Sequence, residues 1–174
     1  MTRISTMSLV VLVCFAGVSE AGGVYIGPKG GMMIMGLTDV DNIVSLGGMI
    51  GYGAPSGISA EVEFNYGVSG GGWTPMPGAT ADFNIWTVAG YGAYRLSMGS
   101  GAYLKGKMGI LRESVDAEAT IPLHGSITMS GNDTGLSLGI GAGYNFVEMV
   151  MAEIEVTIIE KDVTLISLGV SYSL

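Results

Sequence analysis

The chain has 174 residues and a formal net charge of −8, with 48% apolar residues, 13% charged residues, 30 glycines and one cysteine. This composition excludes a disordered chain and a disulfide-built secreted scaffold, and the absence of a G-X-Y period excludes collagen. The acidic balance also argues against nucleic acid as a partner, because phosphate binding needs a surplus of Lys and Arg.

The N-terminus has the features of a secretory signal peptide. A positively charged start is followed by an apolar run over 7–18 and by a small-residue cleavage pattern that ends at Ala21. We predict that residues 1–21 are removed on export, together with the cysteine, Cys14. The mature domain would then comprise residues 22–174.

The rest of the chain alternates apolar residues with small or polar ones at a period of two, which is the period of β-strands. The alternation predicts eight strands, at about 24–35, 43–53, 58–68, 84–96, 102–111, 135–146, 150–158 and 166–174. The tight turns between them lie at 54–57, 97–101 and 147–149, and the other connections, mostly longer and polar, lie at 36–42, 69–82, 112–134 and 160–162. Short turns on one side and longer loops on the other are typical of a chain that threads a membrane up and down.

The residue types on the two strand faces decide between a soluble and a membrane barrel. A soluble barrel is apolar inside and well charged outside, whereas a membrane barrel is the reverse. Here the polar face is mainly Gly and Ser, which suits a crowded interior, and an apolar band of about 25 Å needs about ten residues per tilted strand. We therefore predict an all-β fold, an eight-stranded antiparallel up-and-down transmembrane β-barrel.

Charged residues recur inside these apolar strands, mostly as like-charged pairs one residue apart, and their sign alternates between successive upward strands. The predicted lumen charge network comprises Lys29, Glu61, Glu63, Arg95, Lys105, Lys107, Glu153 and Glu155. A charged residue that faced lipid near the bilayer midplane would destabilise the barrel by ~2–4 kcal/mol. We therefore expect all eight side chains to point into the lumen, where opposite charges can pair. A plugged interior is favoured over an ion pathway, because eight strands enclose little more than their own side chains.

Aromatic residues gather near both ends of the predicted strands, as expected for the two girdles of a membrane barrel. On the turn side they are Tyr25, Tyr52, Tyr94, Tyr103, Tyr144, Phe146 and Tyr172, and on the loop side Phe64, Tyr66, Phe83 and Trp86. Tyr25 and Tyr103 share the parity of the inward lysines, so for these two we expect a place at the rim.

The segments VYIGPKGG, AYLKGKMGILR and GLSLGIGAGYNF, followed by AEIEVTII and TLISLGVSYSL, resemble the first, fifth and last three strands of the OmpA-like and OmpX-like eight-stranded outer-membrane barrels of Gram-negative bacteria. The resemblance implies a barrel in the outer membrane, surrounded by lipid and lipopolysaccharide, with extracellular loops and both termini in the periplasm. It also implies a C-terminal assembly signal for the barrel-assembly machinery at Val170, Tyr172 and Leu174, with Leu174 in place of the family's final aromatic residue. We expect a monomer.

The remaining acidic residues lie mostly on the loop side, at Asp39, Asp41, Asp82, Glu113, Asp116, Glu118, Asp133, Glu160 and Asp162. They keep the loops solvated, and their functional interpretation is a divalent cation or a basic host or envelope ligand at the acidic loops. Asp39 and Asp41 have the spacing that opens a calcium loop, but the Gly and the closing Glu of that motif are missing, so we predict no metal site.

His124 and Ser126 are the catalytic candidates, because lipid A deacylases among the eight-stranded barrels use His and Ser. Those enzymes have Asn after the serine, whereas this chain has Ile127, and the pair falls in a predicted loop. We predict no enzyme, no catalytic residue and no cofactor. The leading hypothesis is a structural or surface-interaction role in adhesion or envelope integrity, and the alternatives are a narrow low-conductance porin and a lipid A-modifying hydrolase.

Overall fold

The computed structural model describes residues 22–36, 40–69, 71–76, 79–121, 125–160 and 163–174, so the predicted signal peptide lies outside the described residues. Within these ranges the strands are β1 (Gly23–Met35), β2 (Ile43–Gly53), β3 (Ile58–Gly67), β4 (Gly71–Met76), β5 (Ala79–Gly99), β6 (Ala102–Ile121), β7 (Gly125–Val147), β8 (Val150–Glu160) and β9 (Val163–Ser173). The described part of the chain has no helix long and apolar enough to cross a membrane.

The sheet closes into a barrel with eight strands around its wall. Antiparallel pairing runs in the order β3-β2-β1-β9-β8-β7-β6-β5, and β3 pairs back onto β5. β4 is not a ninth wall strand. It pairs only with residues 79–83 of β5, whereas β3 closes the barrel by pairing with residues 86–94 of the same strand. The predicted eight-stranded antiparallel barrel is confirmed.

The two ends of the barrel differ in their connections. At one end, here called the turn end, the tight turns join β2 to β3, β5 to β6 and β7 to β8. β1 also begins and β9 also ends there, since Tyr25 pairs with Ser173. The other connections are at the opposite end, here called the loop end.

Side chains alternate between the lumen and the outer face as the period of two predicted. Ser137 and Glu153 are 1% and 2% exposed, whereas their neighbours Leu138 and Ile154 are 52% and 55% exposed. Among the described residues, every buried position except Ser114 carries an odd number. The large apolar side chains therefore face outward, as lipid contact requires.

Three strands continue past the barrel wall at the loop end, where the sequence predicted connections. β5, β6 and β7 have 21, 20 and 23 residues, and β6 stays in register with β7 as far as the pair Ile121 and Gly125. The predicted loop over 112–134 was therefore wrong, as was most of the loop predicted over 69–82, which contains β4 and the start of β5. A strand beyond the lipid needs no apolar face, so its polar composition resembles that of a loop. We call β4 and the parts of β5, β6 and β7 beyond the wall the protruding sheet.

The lumen is filled by two layers of different chemistry. The loop-end half holds an apolar cluster, here called the apolar plug, of Met33, Ile43, Ile85, Ala89, Tyr91, Leu111, Ile159, Val163 and Leu165. The expectation of a polar interior was wrong for this half. Residues 31–35, GMMIM, are apolar on both faces of the strand. The sequence pattern therefore does not show that some of these apolar residues point into the lumen.

Candidate functional site

All eight residues of the predicted charge network point into the turn-end half of the lumen. Toward the middle of the barrel, Lys29 of β1 and Lys107 of β6 share two carboxylates. The Lys107 ammonium lies 2.5 Å from Glu63 and 3.2 Å from Glu155, and the Lys29 ammonium lies 2.9 Å from Glu63 and also contacts Glu155. These four charges come from four strands that do not follow one another in the chain.

Nearer the turn end, Lys105 and Arg95 complete the network. The Lys105 ammonium contacts three carboxylates, at 2.7 Å from Glu61, 3.2 Å from Glu153 and 2.8 Å from Glu155. Arg95 bridges Glu61 and Glu153 at 2.9 and 3.2 Å. Each of these carboxylates therefore contacts at least two cations.

Burial makes this pairing obligatory. Seven of the eight residues are 1–5% exposed, and the Arg95 side chain is 14% exposed. Removing one partner of a buried ion pair costs about 3–5 kcal/mol, because the other charge is left without compensation. Four cations and four carboxylates make the network neutral, so its stability depends on all eight being present.

Two tyrosines seal the network at the turn end. Tyr25 donates a hydrogen bond to Glu61 at 2.6 Å, and Tyr103 donates one to Glu153 at 2.9 Å. The Arg95 guanidinium packs over both rings, 4.6 Å from the centroid of Tyr25 and 5.7 Å from that of Tyr103. Both tyrosines are lumen residues, 2% and 5% exposed, rather than members of an outer girdle.

Each of these tyrosines lies against a glycine on the neighbouring strand. Tyr25 pairs with Gly51, and Tyr103 pairs with Gly143. A Cβ at either glycine would clash with the Cζ and hydroxyl oxygen atoms of the tyrosine. Glycine is therefore what allows the ring to lie flat across the lumen and present its hydroxyl group to the carboxylate.

Tyr91 is a lumen residue that the sequence reasoning missed. Its hydroxyl lies 3.0 Å from Ser137 Oγ, which itself donates to the carbonyl of Ile158, and the Lys107 ammonium lies 4.4 Å from the ring centroid. Tyr91 also packs in the apolar plug, so it joins the two halves of the lumen. The signal was available, because Tyr91 shares its odd parity in β5 with Arg95.

Three carboxylates of the network lie close enough to hold a metal ion. Oxygens of Glu61, Glu63 and Glu155 lie within 4.8 Å of one another. The ammonium groups of Lys105 and Lys107 contact these same carboxylates and supply the positive charge that a metal would supply.

The other candidate residues belong to the predicted catalytic pair, the acidic connections and the assembly signal. His124 and Asp39 fall outside the described residues, whereas Ser126 is part of β7, opposite Thr120, rather than of a loop. In the proposed assembly signal, Val170 and Tyr172 are 46% and 44% exposed on the outer face of β9, and Leu174 is 75% exposed.

An antiparallel barrel with an apolar outer face and an ion-paired interior defines a transmembrane β-barrel protein. The family model described as the outer membrane protein beta-barrel domain matches residues 6–173, and the chain belongs to this family. None of the curated protein sequences matches the chain.

Solved structures of outer-membrane barrels share the fold. The N-terminal β-barrel domain of OprF from Pseudomonas aeruginosa is 16% identical, with a TM-score of 0.59 over 88% of this chain and 99% of that one. Ail, the attachment invasion locus protein of Yersinia pestis, is 14% identical, with a TM-score of 0.54 over 87% and 95%. Neisserial surface protein A is 15% identical, with a TM-score of 0.53 over 89% and 98%. At these identities the likeness is one of fold.

Proposed function

We propose that this protein is a non-enzymatic outer-membrane anchor whose closed barrel holds the protruding sheet at the cell surface, with a structural or surface-interaction role in the envelope. The observation that carries the proposal is the double closure of the lumen. An ion that entered would have to break the neutral charge network, where Lys105 alone contacts three carboxylates, and would then have to cross the apolar plug. Neither layer resembles a polar, water-filled channel.

The asymmetry of the barrel supports an orientation. Bacterial outer-membrane barrels have short periplasmic turns and longer extracellular loops, so we assign the turn end, where β1 begins and β9 ends, to the periplasm. The protruding sheet is then extracellular. We retain Val170, Tyr172 and Leu174 as the signal for the barrel-assembly machinery, since Val170 and Tyr172 both lie on the outer face of β9.

The closed barrel is tested by conductance. Purified protein should show the heat-dependent gel shift of a folded barrel and should add no steady conductance to a planar lipid bilayer. Stable channels in a preparation that shows the gel shift would overturn the plugged barrel and favour the narrow porin.

The charge of the protruding sheet bears on the kind of ligand. Asp116, Glu118 and Asp133 are exposed there. Ail has been crystallised with sucrose octasulfate, a heparin analogue. An acidic sheet repels such a polyanion, so for this protein we propose a basic ligand instead.

The proposed lack of enzymatic activity is tested on lipid A. We expect no deacylation by the wild-type protein, and therefore no difference in the His124→Ala variant. Robust wild-type deacylation that disappears in His124→Ala would make the hydrolase the leading function.

A further inference from the structure

One strand of the barrel wall contains a proline in its interior. Pro28 lies in β1, exposed on the outer face between Ile26 and Gly30. Proline has no backbone N–H group, so within sheets it is normally confined to edge strands, strand starts and bulges. β1 has a neighbour on each side, β2 and β9. Pro28 therefore removes a hydrogen bond from a closed wall.

The missing hydrogen bond belongs to the pairing of β1 with β9, here called the seam. Leu174 donates its backbone N–H to the carbonyl of Val24 at 2.8 Å. Alternate residues of a strand point their backbone groups to the same neighbour, so those of Pro28 also point to β9. The register places Pro28 opposite Val170, whose carbonyl receives no N–H from it. Gly27 lies against this carbonyl, but a Cα–H contact is weaker than an N–H···O bond.

The seam is interrupted at this point. Its pairing runs from the loop end to Lys29 and Gly169 and resumes only with Ile26 and Tyr172, so two residue pairs are absent. Among the described residues, the other pairs of wall strands are continuous or shift register only next to a turn or loop. Backbone groups without partners are costly in a bilayer, so this gap makes the seam the weakest contact between wall strands.

Only a short stretch of the seam lies between the gap and the turn end. It comprises two residue pairs, whereas seven pairs follow on the other side of the gap. We call residues 23–26 and 171–174 the seam tip. Each half of the seam tip stays paired with its own neighbour, β2 or β8, so the halves can separate without unfolding either strand.

The lumen behind the seam tip contains polar groups without a partner. The Oγ atoms of Ser167 and Ser171 are buried and have no hydrogen-bond partner among the described residues. The lumen side of β9 carries only Ser and Gly from 167 to 173. Buried polar groups that lack protein partners are the usual sites of ordered water. Such water needs a route into the lumen, and the seam tip lies beside it.

We propose that the seam tip opens and closes in the folded barrel and admits water to the lumen beside Ser171. Tyr25, whose hydroxyl is bonded to Glu61, belongs to the seam tip, so each opening also exposes the turn-end part of the charge network. The apolar plug stays closed. With the turn end in the periplasm, as proposed above, the network is reached by periplasmic water, but the opening itself does not depend on that orientation.

Hydrogen exchange of the full barrel in lipid nanodiscs tests the opening, because alternate amides of β9 point to different neighbours. The amide of Tyr172 points to β1, whereas those of Ser171 and Ser173 point to the side of β8, where Ser173 donates to Met149. We expect the Tyr172 amide to exchange at least about tenfold faster than both serine amides. Equal exchange at all three would mean that the end of β9 frays as a whole, and the proposal would be wrong.

Thiol labelling tests the access of water. Residues 22–174 contain no cysteine, so Ser171→Cys provides a single thiol. Ser59→Cys is the matched control, because Ser59 is also a buried serine near the turn end but lies on β3, whose pairing has no gap. In barrels that show the heat-dependent gel shift, iodoacetamide should label Ser171→Cys at least about tenfold faster than Ser59→Cys. Equal rates would contradict entry through the seam.

Pro28→Ala restores the missing donor. It should slow both the exchange of the Tyr172 amide and the labelling of Ser171→Cys by about five- to tenfold, as expected for one hydrogen bond. Gly30→Ala is the control on the same face of β1, where an added Cβ makes only ordinary contacts and no donor is gained. It should change neither rate.

Rates that stay the same in Pro28→Ala, or that fall equally in Gly30→Ala, would overturn the proposal. Conductance keeps this outcome separate from the proposed function. Steady channels in a planar bilayer would overturn the closed barrel, whereas a barrel without channels and without faster exchange at Tyr172 would overturn the seam opening alone.

Discussion

The turn-end half of the lumen is packed with four glutamates, three lysines and an arginine, whereas the loop-end half is packed mainly with Met, Ile, Leu and Val. The same eight strands enclose both halves, but their stability has different origins. The charged half depends on the identity of every partner, because one unpaired buried charge is expensive. The apolar half depends on volume, because its side chains contact one another without direction.

Reversing charges should break the charged half outright. Lys105→Glu with Lys107→Glu leaves six carboxylates, the four glutamates plus two new ones, against Lys29 and Arg95. We expect failed assembly or a loss of several kcal/mol in the free energy of unfolding, measured by urea titration in detergent. Adding Glu61→Lys and Glu63→Lys should restore neutrality and only part of the stability, since the new carboxylate at position 105 would still face Glu153 and Glu155.

The control for this reversal is Arg112→Glu, which changes charge at an exposed position of the same strand. It should alter the free energy of unfolding by less than about 1 kcal/mol. If the double reversal unfolded at the same urea concentration as the wild type, the network would not be the element that holds the turn-end half together.

Removing a single charge from the network should also destabilise the charged half. Lys107→Met leaves Glu63 and Glu155 with one cation fewer, and we expect a cost of about 3–5 kcal/mol in the free energy of unfolding. Lys107→Met with Glu63→Gln restores neutrality and should recover part of that cost in the same titration. A double variant no more stable than Lys107→Met would show that charge balance is not what matters.

The apolar half should respond to lost volume. Leu111 is 3% exposed in the plug, so Leu111→Ala should cost about 2–4 kcal/mol in the free energy of unfolding through the cavity it leaves. Leu136→Ala is the matched change on the outer face, where the side chain is 83% exposed, and should cost about 1 kcal/mol or less. Leu111→Ala should not make the barrel conduct ions, because the charged half still closes the lumen. Steady channels in this variant would mean that the apolar plug is the layer that blocks ions.

The smallest expected effect concerns the support of the tyrosines. Gly143→Ala places a methyl group against the ring of Tyr103 and should cost about 1–3 kcal/mol in thermal or urea unfolding. Gly106→Ala is the matched control on the outer face, where an added Cβ meets nothing within 4 Å, and it should be neutral. Equal effects of the two substitutions would mean that Gly143 is not needed by the ring.

The strand count, the side-chain parity and the positions of the eight lumen charges could be predicted, because a charge in an apolar strand has only one acceptable side. The ion pairs between these charges could not be predicted, because the alternation shows which face of the strand a residue lies on but not its height along the barrel axis. Lys105 reaches carboxylates on β3 and β8, and that reach depends on the stagger between strands. The protruding sheet was missed because strands outside lipid lose the apolar signal, and the plug because its strands are apolar on both faces.

The charge network also divides the chain at the turn between β5 and β6. Lys29, Glu61, Glu63 and Arg95 precede that turn and sum to zero, and Lys105, Lys107, Glu153 and Glu155 follow it and sum to zero as well. Each set has ion pairs of its own, such as Lys29 with Glu63 and Lys105 with Glu153. Four pairs then cross between the sets, linking Lys29 to Glu155, Arg95 to Glu153, Lys105 to Glu61 and Lys107 to Glu63. The network therefore consists of two sets of four charges, each neutral by itself and each carried by one half of the wall, and the crossing pairs link the two halves of four wall strands in the closed barrel.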